Sequence, residues 1–169
     1  MPATRADLDA KFAELGIATR THEHEAVFTV AESRGVKAAM PGGHTKNLFV
    51  KDKKGRIFLV TAEAERAIDL KRLHETIGGS GRLSFGSAEL LREVWGVEPG
   101  SVTPLGAIND RAGRVTVVLD AALMGHDPVN VHPLVNTATT ALAPDDLVAF
   151  LRATGHEPLI VALPAPPEA

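Results

Sequence analysis

Val115–Leu119 reads Val-Thr-Val-Val-Leu, a near-continuous apolar run, and no other feature constrains the fold of this chain as tightly. Such a run belongs to a central strand, because only a strand covered on both faces can bury successive side chains. A second signal is the pair of β-branched and aromatic stretches Asn47–Lys51 and Arg56–Thr61. Asp52-Lys53-Lys54-Gly55 separates them, so they read as a hairpin. Further strands are expected at Ile17–His22, Arg82–Phe85, Val129–Val131, Thr137–Leu142 and Leu159–Leu163.

Helices must supply the covering layers. Thr4 is placed to cap one whose apolar residues Leu8, Phe12 and Leu15 recur at helical spacing, with Gly16 as its stop. Thr29, followed three residues later by Glu32, has the reciprocal capping pattern and opens a second. A short helix is expected at Leu70–Glu75, before the turn Gly78–Gly81. Ser87 caps another, burying Leu90, Leu91, Val94 and Trp95 and closing at Gly96. The loop Pro99–Pro104 is too rich in turn residues for regular structure. Pro144, Asp145 and Asp146 suit the first turn of a last helix carrying Leu147, Phe150 and Leu151, which stops near Gly155.

Strands and helices therefore mix without a regular βαβ alternation, and the fold class expected is α/β with an α+β-like mixed sheet flanked by helices. At 169 residues one core is expected. The division is a single domain over 1–163 and a proline-rich tail over 164–169, since Pro164, Pro166 and Pro167 cannot pair in a sheet. No apolar run is long enough to span a bilayer, and the charged start MPATRADLDAKF is unlike a secretory leader. A cytoplasmic protein without membrane contact is expected.

The absence of cysteine removes thiolate nucleophiles and cysteine-rich zinc sites. Aromatic residues at 4% argue against a broad base-stacking platform, and a net charge of −3 against a face that coats nucleic acid. Any nucleic-acid contact must be local. Seven histidines include His22 and His24 two apart and His126 and His132 six apart, but neither an HExxH helix nor a cysteine accompanies them. No metal and no cofactor is expected. There is likewise no GxSxG elbow, P-loop or dinucleotide fingerprint.

Lys46 precedes the apolar residues Leu48-Phe49-Val50, at a strand entrance beside His44, Thr45 and Asn47. From the residues alone it reads either as a solvated turn lysine, the commoner outcome, or as a phosphate contact. Gly100-Ser101-Val102-Thr103-Pro104 has a glycine that permits close backbone approach and a proline that stiffens the far end, though a plain surface turn is the more frequent form of such a pattern. His132, before Pro133, is held in extended backbone and reads as a structural histidine as readily as a functional one. Lys51, Lys53, Lys54 and Arg56 make a basic hairpin tip, usually a solvated turn.

Longer words of the sequence go further. Phe28-Thr29-Val30-Ala31-Glu32-Ser33, His44-Thr45-Lys46-Asn47-Leu48-Phe49-Val50, Leu83-Ser84-Phe85-Gly86-Ser87, Gly100-Ser101-Val102-Thr103-Pro104-Leu105-Gly106, Asn109-Asp110 and His132-Pro133-Leu134-Val135-Asn136-Thr137-Ala138-Thr139 follow one another in this order. Together they resemble the motifs of the YbaK, or prolyl-tRNA-synthetase-associated, family across nearly the whole chain. The branch it looks most like is PrdX, also called ProXp-ala.

The resemblance implies a trans-editing deacylase that hydrolyses the ester of alanyl-tRNA carrying the proline anticodon. Other members act on cysteinyl-, seryl- or threonyl-tRNA, and a silent tRNA-binding or synthetase-associated module could keep the same fold. By resemblance, Lys46 is the required lysine at the phosphate or ribose of the tRNA 3′ end, and Asn47 orients that terminus. Gly100 and Ser101 belong to the loop that holds the aminoacyl group, with Val102, Thr103 and Pro104 completing it. His132 matches a recurrent family position. The partners implied are the acceptor end of mischarged tRNA(Pro) and prolyl-tRNA synthetase, and the expected state is a monomer.

Overall fold

A computed structural model describes residues 1–26 and 30–167. Among the described residues five helices and eight strands alternate irregularly. They are α1 (Arg5–Leu15), β1 (Arg20–Glu23), α2 (Val30–Ala39), β2 (Gly43–Lys51), β3 (Ile57–Glu63), α3 (Leu73–Ile77), β4 (Ser84–Phe85), α4 (Ala88–Trp95), β5 (Val115–Asp120), β6 (Val129–Val131), β7 (Ala138–Leu142), α5 (Pro144–Ala153) and β8 (Leu159–Val161).

The helix ends follow from local chemistry. The Thr4 side chain accepts from the Asp7 amide while Asp7 accepts from the Thr4 amide, so two otherwise orphaned donors are satisfied at the start of α1. At its other end Gly16 takes φ 68°, and the Gly16 and Ile17 amides donate to Ala13 and Phe12. That closure buries Ile17 and delays β1 to Arg20, three residues beyond the expected strand start. Ser87 caps α4 and Gly96 closes it in the left-handed conformation, as expected. The Thr29–Glu32 cap falls on residues that include some outside the described ones. Helix α3 begins later than the expected Leu70, because Asp69 folds 69–72 into a turn by accepting from the Lys71 and Arg72 amides.

The strands form one mixed sheet in the order β1-β7-β6-β2-β3-β5-β8. Strands β3, β5 and β8 run parallel, as do β2 and β6, while the hairpin β2–β3 and the pairs β1–β7 and β6–β7 are antiparallel. Alternation along the central strands splits the core into two layers. Leu59, Val115, Val117 and Leu119 face α1, α4 and α5 through Leu8, Phe12, Trp95 and Phe150. Phe58, Val60, Ala62 and Val118 face the other side, with Leu73, Ile77 and Leu163. Asp110, shortly before β5, and His156, shortly after α5, both have side chains 2% exposed and pair, His156 Nε2 lying 2.9 Å from Asp110 Oδ2.

One further expectation needs revision. The loop Pro99–Pro104 is not irregular, since Pro99–Ser101 and Pro104–Asn109 each form a 3-10 turn. The basic hairpin tip is solvated at Lys51, Lys53, Lys54 and Arg56, as expected, and is organised around the buried Asp52. Burial works against the charge on Asp52, but amides of Ser80, Arg56 and Lys54 and the Arg56 guanidinium hold its pKa down to about 2. Arg56 is thereby spent on the turn.

Candidate active site

One edge of β2 pairs continuously with β3, from Thr45 to Lys51. The opposite edge is shared by two strands that do not meet. Strand β6 pairs only at Gly43 and His44, and β4 only at Val50 and Lys51. Among the described residues no strand pairs with 45–49 on that side, and the sheet opens there. Lys46 and Asn47 lie in the opening, which only the three-dimensional pairing could reveal.

The segment after α4 fills the far side of this gap. Asn47 Nδ2 donates to the Val102 carbonyl at 3.0 Å, and Asn47 Oδ1 accepts from Thr61 Oγ1 at 2.6 Å, which fixes the orientation of the amide. Behind the loop, Trp95 Nε1 donates to the Thr103 carbonyl at 2.7 Å and the Thr103 hydroxyl accepts from the Leu105 amide. The loop is thus anchored from both sides. The result is a cavity of about 250 Å³ whose lining includes Lys46, Asn47, Gly100, Val102 and His132.

Of the eight residues singled out from sequence, these five converge on the cavity. Ser101, Thr103 and Pro104 do not line it. All three are buried, and the Ser101 amide is taken by the Glu98 carbonyl at 2.8 Å, so it is not available to a ligand in this conformation. They shape the loop from behind.

Lys46 is half-buried and its ammonium donates to the Arg66 carbonyl. An ammonium has three donors, so this contact leaves two for a ligand in the cavity. His132 Nδ1 sits 3.3 Å from the Ala138 carbonyl. Because a carbonyl only accepts, that nitrogen carries the proton in the neutral ring and Nε2 keeps the lone pair. Desolvation lowers the His132 pKa below its ordinary 6.5; the Ala138 bond opposes the shift and nearby His24 adds to it. The turn after His132 is strained: Leu134 adopts φ 70°, unfavourable for a branched side chain, and packs on the core.

Several lining residues were not among those eight. His24 bonds Thr139 Oγ1 at 2.8 Å, and Asn130, 2% exposed, reaches the Pro41 and Gly43 carbonyls through Nδ2. Thr139 stood inside a recognised motif, whereas nothing in the local pattern around Asn130 marks it. Lys37, on α2, also lines the cavity. Among the described residues no group of three histidine or acidic side chains could hold a metal ion. His126 instead lies 3.5 Å from Glu63.

The family model for the aminoacyl-tRNA editing domain matches residues 24–150, a span that contains every cavity-lining residue. The chain belongs to the aminoacyl-tRNA editing family. Its reaction class is accordingly aminoacyl-tRNA deacylation, with tRNA as substrate. Prolyl-tRNA synthetase associated domain-containing protein 1 of Mus musculus is 41% identical over 161 residues, covering 93% of this chain and 95% of that protein. Prolyl-tRNA editing protein ProX of Acetoanaerobium sticklandii is 39% identical over 157 residues, covering 89% and 95%. A solved candidate trans-editing enzyme for prolyl tRNA synthetase superposes with a TM-score of 0.73 at 22% identity, over 98% of this chain and all of its own. That likeness bears out the mixed sheet flanked by helices. No helix among the described residues is long and apolar enough to cross a membrane.

Proposed function

We propose that this editing-family deacylase hydrolyses alanyl-tRNA(Pro), releasing alanine and free tRNA. The observation that carries the reading is the convergence of Lys46, Asn47, Gly100, Val102 and His132 on the one cavity where the sheet opens. Water attacks the ester carbonyl, the carbonyl oxygen gains charge, and the bond to the ribose oxygen breaks as that oxygen takes a proton. The ester is already activated, so no nucleophilic side chain is needed. Lys46 binds the phosphate or ribose of the 3′ end by charge-assisted hydrogen bonds, and Asn47, its amide held by the Val102 carbonyl and the Thr61 hydroxyl, orients the same terminus. Gly100 lets backbone approach the aminoacyl group. A terminal ribose hydroxyl orients the attacking water.

Two considerations support the choice of tRNA and amino acid. The relatives at about 40% identity are named for prolyl-tRNA or its synthetase. A synthetase pocket built for proline cannot strongly reject the smaller alanine, because each missing methylene is worth only roughly 1–3 kcal/mol. A separate hydrolytic site then restores accuracy. In this reading the protein works in the cytoplasm as a monomer, beside prolyl-tRNA synthetase.

Purified protein is expected to hydrolyse alanyl-tRNA(Pro) rapidly and to spare seryl-, cysteinyl- and prolyl-tRNA(Pro). Faster hydrolysis of the seryl or cysteinyl ester would move the specificity to that amino acid; a protein that cleaves none is not a deacylase of this tRNA. The same assay tests His132. Its neutral ring persists below pH 6.5, so the acid limb that it contributes to the rate should fall below 6.5 rather than at it. Replacing His132 by glutamine should remove that limb from the pH–rate profile.

A further inference from the structure

Asp120, at the end of β5, is a fully buried carboxylate, and the catalytic scheme above makes no use of it. Its Oδ1 accepts from the Ala122 amide at 3.2 Å, while Oδ2 lies 3.4 Å from Arg66 Nε. Among the described residues neither Oδ2 nor Nε has a hydrogen-bond partner, so the two groups meet as a buried ion pair and not through a hydrogen bond. A buried carboxylate is costly without a counter-charge, so Asp120 constrains where the Arg66 side chain can lie. Arg66 is held at a second point as well, since its Nη2 donates to the Leu163 carbonyl at 2.9 Å.

What these contacts fix is the peptide that touches Lys46. The Arg66 carbonyl accepts from the Lys46 ammonium. The residues just before it are also tied to the cavity wall. Glu65 pairs with Lys37 Nζ at 2.9 Å, and the Ala64 amide donates to the His44 carbonyl at 2.8 Å. Lys37, His44 and Lys46 all line the cavity. The short segment 64–66 is therefore a rim fastened to α2, β2, β5 and the chain beyond β8.

We infer that Asp120 and Arg66 form a positioning pair that holds the Arg66 carbonyl, and through it keeps the Lys46 ammonium aimed into the cavity. Neither side chain touches substrate. The pair acts through backbone, and the inference rests on the deacylase reading only for its kinetic consequence. A lysine on a flexible four-carbon stem would otherwise give up rotamer freedom between the bound complex and the transition state, and an anchored one has already lost it.

Asp120→Asn keeps the shape and the acceptor for Ala122 while removing the charge. In the full chain it is expected to lower kcat for alanyl-tRNA(Pro) roughly tenfold, with KM within about twofold. Arg66→Ala should do the same, and Arg66→Lys should recover part of the loss. In the Lys46→Ala background Asp120→Asn should cost nothing more, because coupled residues are not additive. Equal losses in both backgrounds would reduce the pair to a support of the fold and overturn the proposal.

A second measurement needs no activity. Labelling with an acylating reagent, read at each lysine by mass spectrometry, should show Lys46 reacting several-fold faster in Asp120→Asn than in the parent, with exposed Lys54 unchanged. Unchanged Lys46 labelling sinks the positioning role even if deacylation is confirmed; increased labelling upholds the pair even if the substrate proves to be another ester. If Asp120→Asn does not fold, Asp120→Asn with Arg66→Gln leaves no buried unpaired charge and carries the same expectations.

Discussion

Lys46→Ala is expected to lower the alanyl-tRNA(Pro) hydrolysis rate by about 100-fold or more while the protein stays folded. Misplacing the reacting ester by about 1 Å costs on the order of 10² in rate, and Lys46 is the contact proposed to position the 3′ end that carries it. Lys46 contributes an ammonium to the cavity and belongs to neither apolar layer of the core. Its strand is held by seven register pairs with β3, which a side-chain truncation leaves in place. Single-turnover hydrolysis alongside thermal unfolding separates the two effects. Lys46→Arg should restore only part of the rate, because a planar guanidinium directs its donors differently from an ammonium. Near-parental rates in the alanine variant would remove Lys46 from the mechanism.

Gly106→Ala should damage stability and activity together. A Cβ at this position would lie 2.2 Å from Trp95 Nε1 and 2.3 Å from Cδ1, and Trp95 is fully buried, so the ring cannot swing aside freely. Overpacking of this kind costs roughly 1–3 kcal/mol. In a domain of this size each kcal/mol lowers the melting midpoint by about 2–4 °C. The same displacement pulls Trp95 Nε1 from the Thr103 carbonyl, and with it the anchor of the loop that carries Gly100 and Val102. Trp95 is the single tryptophan of the chain, so its fluorescence reports the shift directly. A variant that melts normally and hydrolyses at the parental rate would show that the ring and the loop are uncoupled.

Several elements were legible in the sequence because their causes lie within a few residues. Thr4 with Asp7, Ser87 with Leu90 and the glycines at 16 and 96 satisfy helix ends locally, and the helices begin and end there. The apolar run at 115–119 did become an interior strand, between β3 and β8. Where neighbours compete, prediction slipped. Ile17 has a strand-forming side chain but completes the closure of α1, and Leu70 sits in a turn that Asp69 imposes.

The candidate site divides in the same way. Lys46, Asn47, Gly100, Val102 and His132 stood in recognisable words, and the words alone placed them in one family. That Ser101 turns inward while Gly100 faces the cavity depends on a 3-10 turn closed by Glu98. Asn130 and Thr139 meet the cavity through strands paired far from their place in the chain.

Sequence by itself determined the caps, the alternation that assigns each strand residue to a layer, and the family, since all are written in short stretches or in their order. Only the tertiary structure decided that β2 loses its neighbour between β6 and β4, and that Asp120 meets Arg66 across 54 residues of chain. Both depend on contacts whose free energy is gained only after long loops have closed, and no local pattern records which distant partner will occupy an open edge or a buried charge.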